Sequence, residues 1–63
     1  MQDFQQRVVD EKKELDEKTE KLAAFIKGDL FTTLGEHEQG RLGKQYGLMV
    51  AYSAVLGERI NAF

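Results

Sequence analysis

The chain has no cysteine, no proline and no tryptophan, and only one histidine. Without cysteine there are no disulfides and no thiolate metal sites, and His37 alone makes a structural zinc improbable. Without proline nothing interrupts a long helix from within. No apolar run approaches the roughly 20 residues that cross a bilayer. The start, Met1-Gln2-Asp3-Phe4, lacks the basic region and apolar stretch of a signal peptide, so a cytoplasmic protein is expected, with no membrane partner. The net charge of −2 argues against a DNA or RNA duplex as partner, because such domains normally carry a basic face. Sixty-three residues make one domain at most, expected over 1–63. A core of that size needs a staple, and with disulfide and metal removed the remaining one is self-association into a homo-oligomer.

What is present is helical periodicity. In the first segment Val8, Leu15 and Leu22 are spaced by seven, with Phe4 and Ile26 four residues outside them. That narrow seam predicts a helix over about 2–27, packed as in a bundle or coiled coil. Glu14–Lys18 and Glu17–Lys21 stand at the i,i+4 spacing of favourable ion pairs. Gly28 falls where a left-handed C-cap would sit. The turn is expected over 28–33, closed by Leu30 or Phe31, with Thr33 and Glu36 spaced as a capping box. A second helix is expected over about 34–61. The fold class is therefore all-α, an antiparallel two-helix hairpin assembling into a homo-oligomeric bundle.

The second helix carries two stripes. Leu42, Gln45, Met49, Tyr52, Leu56, Arg59 and Phe63 follow alternating steps of three and four, a heptad seam. Gly40, Gly43, Gly47, Ala51 and Ala54 make a second face of very small residues. Each glycine in a helix costs about 1 kcal/mol relative to alanine. Such a stripe points to close approach by another helix, a second copy of the chain or a ligand, and periodicity does not choose among them.

Catalytic motifs fail on inspection. Gly40-Arg41-Leu42-Gly43-Lys44 lacks the four-residue gap of a phosphate loop, and Gln45 follows where Ser or Thr belongs. His37-Glu38 begins a zinc-protease motif, but Arg41 stands at the second histidine's place. Ser53 has no cue tying it to His37, and the carboxylates of the first helix lie among lysines. The expectation is no enzyme, no cofactor and no metal. A positive signal remains in the second helix: no acidic residue occurs from Gln39 to Gly57, while Arg41 and Lys44 do, beside Gln45, Tyr46 and Tyr52. Cationic side chains can hold phosphates, and aromatic rings can stack on bases. The same residues also suit solvated cations beside core tyrosines.

The stretch from Gln45 to Ile60, with Gln45, Met49, Tyr52, Val55, Leu56, Arg59 and Ile60 in the pattern Q-x-x-x-M-x-x-Y-x-x-V-L-x-x-R-I, resembles the C-terminal helix of small phage proteins. Glu11, Glu14, Leu15, Lys18, Lys21, Leu22 and Phe25 match their first helix. In size and hairpin architecture these are similar to phage sponges that counter CBASS or Thoeris immunity. The resemblance implies a symmetric oligomer that sequesters a small anionic nucleotide signal, a cyclic oligonucleotide such as a cyclic dinucleotide or an ADP-ribose-derived molecule, without cleaving it. The candidate ligand-binding residues are Arg41, Lys44, Gln45, Tyr46, Met49, Tyr52 and Arg59. An oligomeric module that binds a host protein, and a four-helix structural assembly without ligand, are the alternatives.

Overall fold

The computed structural model describes residues 2–63 and forms a helical hairpin: α1 (Asp3–Lys27), a short 3-10 turn (Phe31–Thr33) and α2 (Glu36–Asn61). The hairpin is a rod of 45 × 14 × 13 Å. Gln2 is the N-cap of α1, and its backbone N–H donates to Gln5 Oε1 at 2.9 Å.

The connection differs from expectation at both ends. Gly28 ends α1 with φ −88°, in extended rather than left-handed backbone, so the residue is not required there by chirality. The Thr33–Glu36 capping box does not form. Thr33 belongs to the 3-10 turn, and its hydroxyl donates to the Leu30 carbonyl at 2.6 Å. Gly35 is the N-cap, and α2 begins at Glu36. Phe31 closes the turn by meeting Phe25 edge-on, with ring centroids 6.5 Å apart, while Leu30 stays exposed. At the opposite end Phe4 and Phe63 make the same contact at 6.0 Å. Edge-to-face pairs add about 0.5–1.5 kcal/mol beyond area burial, so each end of the rod has its own latch.

Between the latches α1 presents Val8, Leu15, Leu22 and Ile26, as its periodicity predicts. Helix α2 answers with Leu42, Tyr46, Met49, Ser53, Leu56 and Ile60, all buried or half-buried. The expected heptad seam is thus right at Leu42, Met49 and Leu56. It is wrong at Gln45, Tyr52 and Arg59, which are exposed, while Phe63, though partly exposed, meets Phe4 of α1. The small stripe also faces away from α1: a Cβ built at Gly40, Gly43 or Gly47 meets nothing within 4 Å. These glycines therefore do not serve close packing inside the hairpin.

One polar cluster crosses the seam. Lys12 Nζ donates to Asp16 Oδ2 at 2.8 Å and to Ser53 Oγ at 3.1 Å, and Ser53 Oγ donates to Asp16 Oδ1 at 2.5 Å. Gly57 lies beside the lysine stem, where a Cβ would stand in van der Waals contact with Lys12 Cε at 3.4 Å. The expected pairs Glu14–Lys18 and Glu17–Lys21 do not close; the ion pairs among the described residues are Lys12–Asp16 and Arg41–Glu38.

The hydrogen bonds from Lys12 and then Ser53 hold the Asp16 carboxyl below its ordinary value, with burial opposing them. A carboxylate lowered in this way stabilises the fold fully above its unfolded pKa of about 4 and loses that contribution as pH falls through the folded value. Asp16→Asn is therefore expected to flatten the acid limb of the stability profile. Thermal melts between about pH 5 and pH 2 should show a smaller drop in the variant than in the wild type.

The hairpin does not finish its own burial. Only Val8 and Leu56 are buried among the described residues. The accessible surface is 4941 Å², against about 4,100 Å² for a compact monomer of this mass. The excess, roughly 800 Å², reflects the elongated shape of the rod, in which two helices have only each other to pack against.

Candidate functional site

The exposed side of α2 carries an open groove of about 300 Å³ lined by Arg41, Lys44, Gln45, Leu48, Met49 and Tyr52. Helical spacing explains the set: all six lie within three turns of one helix and project from the flank beside the seam. Met49, half-buried, forms the inner edge. Leu48 and Tyr52, 65% and 46% exposed, form the apolar floor and outer edge. Arg41 and Lys44 stand at the N-terminal end.

Side-chain contacts prepare part of this surface. Arg41 Nε donates to Glu38 Oε1 at 2.7 Å, which orients the guanidinium and leaves its other N–H donors for a ligand. The pair also moderates the positive potential expected of the acid-free stretch, because Glu38 sits just outside it. Gln45 Nε2 lies 3.9 Å from Met49 Sδ, a weak contact that holds the amide over the floor. Among the described residues, Lys44 Nζ and the Tyr52 hydroxyl have no hydrogen-bond partner within the chain. An unpaired ammonium, a guanidinium paired at one of its N–H groups, an amide and a ring beside an apolar floor can take a ligand with anionic and planar parts.

Five of the seven residues singled out in the sequence, Arg41, Lys44, Gln45, Met49 and Tyr52, are thus brought together. Tyr46 is not; it turns into the seam one heptad before Ser53 and is half-buried. Arg59 is exposed on the same flank, beyond the groove. Leu48 also lines the groove, and its spacing of four from both Lys44 and Tyr52 is the sequence signal that places it there. His37 is exposed in the first turn of α2. No group of three or more potential metal ligands occurs among the described residues. None of the described helices is long and apolar enough to cross a membrane.

Fold and groove together define a two-helix hairpin with a basic-rimmed, apolar-floored surface on its second helix. The Sequestin family model matches residues 2–62, and the chain belongs to that family. The family name is consistent with sequestering a molecule. No curated protein and no solved structure matches the chain.

Proposed function

We propose that the protein is a phage anti-defence sponge. It binds an anionic nucleotide immune signal, a cyclic oligonucleotide or an ADP-ribose-derived molecule, in the cytoplasm of the bacterial host and sequesters it without cleavage. The observation that carries this reading is the gathering of Arg41, Lys44, Gln45, Met49 and Tyr52 around one groove. The guanidinium and ammonium groups hold phosphate, Arg41 by its fork and Lys44 as a point charge. Tyr52 stacks on a base above Leu48 and Met49, and Gln45 addresses a polar edge of the ligand. The chain works as a homo-oligomer, which closes a groove that one helix leaves open. No nucleophile–base pair stands at the groove, so the protein acts by stoichiometry rather than turnover.

Native mass spectrometry with a panel of cyclic nucleotides and ADP-ribose derivatives tests this reading. A bound mass is expected on an oligomer, free signal should fall in proportion to protein, and heating should return it intact. Arg41→Ala and Lys44→Ala should each weaken binding roughly ten- to 150-fold, the loss of one hydrogen bond to a charged group. Recovery of a cleaved product, or turnover beyond one molecule per site, would overturn the proposal. A second reading, a module that binds a host protein, is favoured by the exposed apolar run Leu48, Tyr52 and Val55. It predicts no small-molecule mass shift and retention of a host protein in a pull-down.

A further inference from the structure

The two helices share one directional polar contact. Among the described residues, the side-chain hydrogen bonds that cross from α1 to α2 both involve Ser53. Lys12 Nζ donates to its Oγ at 3.1 Å, and that Oγ donates to Asp16 Oδ1 at 2.5 Å. The rest of the seam is mostly apolar, and apolar burial is non-directional. Three seam residues, Leu42, Met49 and Leu56, would equally serve a second seam, with Gln45, Tyr52 and Arg59 in place of Tyr46, Ser53 and Ile60. At about 100° per residue, the two arrangements differ by a turn of α2 of only about 50° around its own axis. That turn carries Gln45 and Tyr52 toward α1 and keeps Met49 at the seam in both. The groove therefore exists in one rotation of α2 and not in the other.

We propose that Lys12, Asp16 and Ser53 are positioning residues for the groove, fixing the rotation of α2 that presents Gln45 and Tyr52 outward. The inference rests on the ligand-binding reading of the groove and names what sets its geometry. None of the three lines the groove; they act through the helix. Ser53 follows Tyr52 directly and stands four residues after Met49, so holding its hydroxyl holds the direction of both side chains. The cluster lies one turn from each of the buried residues, Lys12 from Val8 and Ser53 from Leu56, and its three members are half-buried. Removal of a paired polar group from water adds little stability. Its best-attested use is to select one arrangement among near-equals. Turning α2 would withdraw the Ser53 hydroxyl and forfeit both hydrogen bonds between the helices.

The chain has two tyrosines and no cysteine, so nitration by tetranitromethane, mapped by peptide mass spectrometry, reads the rotation without any ligand. In the wild type Tyr52, 46% exposed, should react ahead of the half-buried Tyr46. Ser53→Ala removes a hydrogen bond to a charged group. The balance between rotations should shift roughly ten- to 150-fold, read as a fall in the Tyr52-to-Tyr46 nitration ratio. Ser53→Thr keeps the hydroxyl and should restore the wild-type ratio. Lys12→Met combined with Asp16→Leu guards against simple unfolding, because apolar replacement of such a pair is often neutral or stabilising. It leaves the Ser53 hydroxyl facing apolar side chains, which disfavours the present rotation. That double variant should keep its helicity by circular dichroism, lower the nitration ratio, and lose capture of the cyclic nucleotides and ADP-ribose derivatives. An unchanged ratio in the folded double variant overturns the proposal, and so does a lowered ratio with undiminished capture. Capture by the wild type beside an unchanged ratio removes the positioning role and leaves the sponge reading standing. The expected ratios in a wild type that captures no nucleotide support the positioning of Tyr52 and remove the nucleotide.

Discussion

Replacing Leu56 with alanine is expected to unfold the hairpin at concentrations where it is not held by other copies. Leu56 has no exposed surface, and Val8 is the only other buried residue among those described. Truncating a buried leucine to alanine costs about 2–5 kcal/mol, from lost transfer energy and from the cavity left behind. A core of this size supplies only about 3–5 kcal/mol in total. The whole margin is therefore at stake at one position. Far-UV circular dichroism should show loss of helix in Leu56→Ala, while Val50→Ala, at an exposed site on the same helix, retains it. A cooperative melt near that of wild type in Leu56→Ala would show that the seam is not where the hairpin's stability resides.

The opposite sign is expected on the outer face. Gly40, Gly43 and Gly47 open onto space, so alanine adds helix propensity without meeting anything. The triple variant should gain up to about 3 kcal/mol. For a domain this small that corresponds to a rise in melting midpoint of roughly 10–20 °C. Gly57→Ala is the comparison on the inner face: its new methyl would lie in van der Waals contact with Lys12 Cε at 3.4 Å, so it should gain helix propensity too, with the Lys12 side chain as its only neighbour. Loss of stability in the triple variant would instead show that another chain rests directly on the stripe.

The hairpin itself is legible in the sequence, because the seven-residue spacing of Val8, Leu15 and Leu22 leaves α1 one apolar side to bury. The facing side of α2 is only half legible, and the reason is degeneracy. Leu42, Met49 and Leu56 belong to two heptad seams, one running through Gln45, Tyr52 and Arg59, the other through Tyr46, Ser53 and Ile60. Hydrophobicity favours neither decisively, since α2 is apolar around much of its circumference. The choice is made on α1, where Lys12 and Asp16 lie between the apolar positions and need a polar partner opposite. Ser53 is that partner, and its selection turns Tyr46 inward and Tyr52 outward. The groove falls inside the acid-free stretch from Gln39 to Gly57, where Arg41, Lys44, Gln45, Met49 and Tyr52 share a flank that helical spacing alone defines. The turn departs from the capping-box spacing for a local reason: Thr33 bonds back to Leu30 and leaves the N-cap to Gly35.

Because the groove is written along one helix rather than between two, its shape exists only while those turns stay wound. The three glycines interleave with the lining residues Arg41, Lys44, Gln45 and Leu48, making this the stretch of α2 with the lowest intrinsic helicity. Local opening there costs less than unfolding the whole rod. A ligand that needs Arg41, Lys44 and Tyr52 in register selects the wound state and bears the free energy of winding it. The same glycines that weaken the segment thus set how much of the ligand's contact energy survives as affinity, and stiffening that face would tune retention without altering a single contact atom.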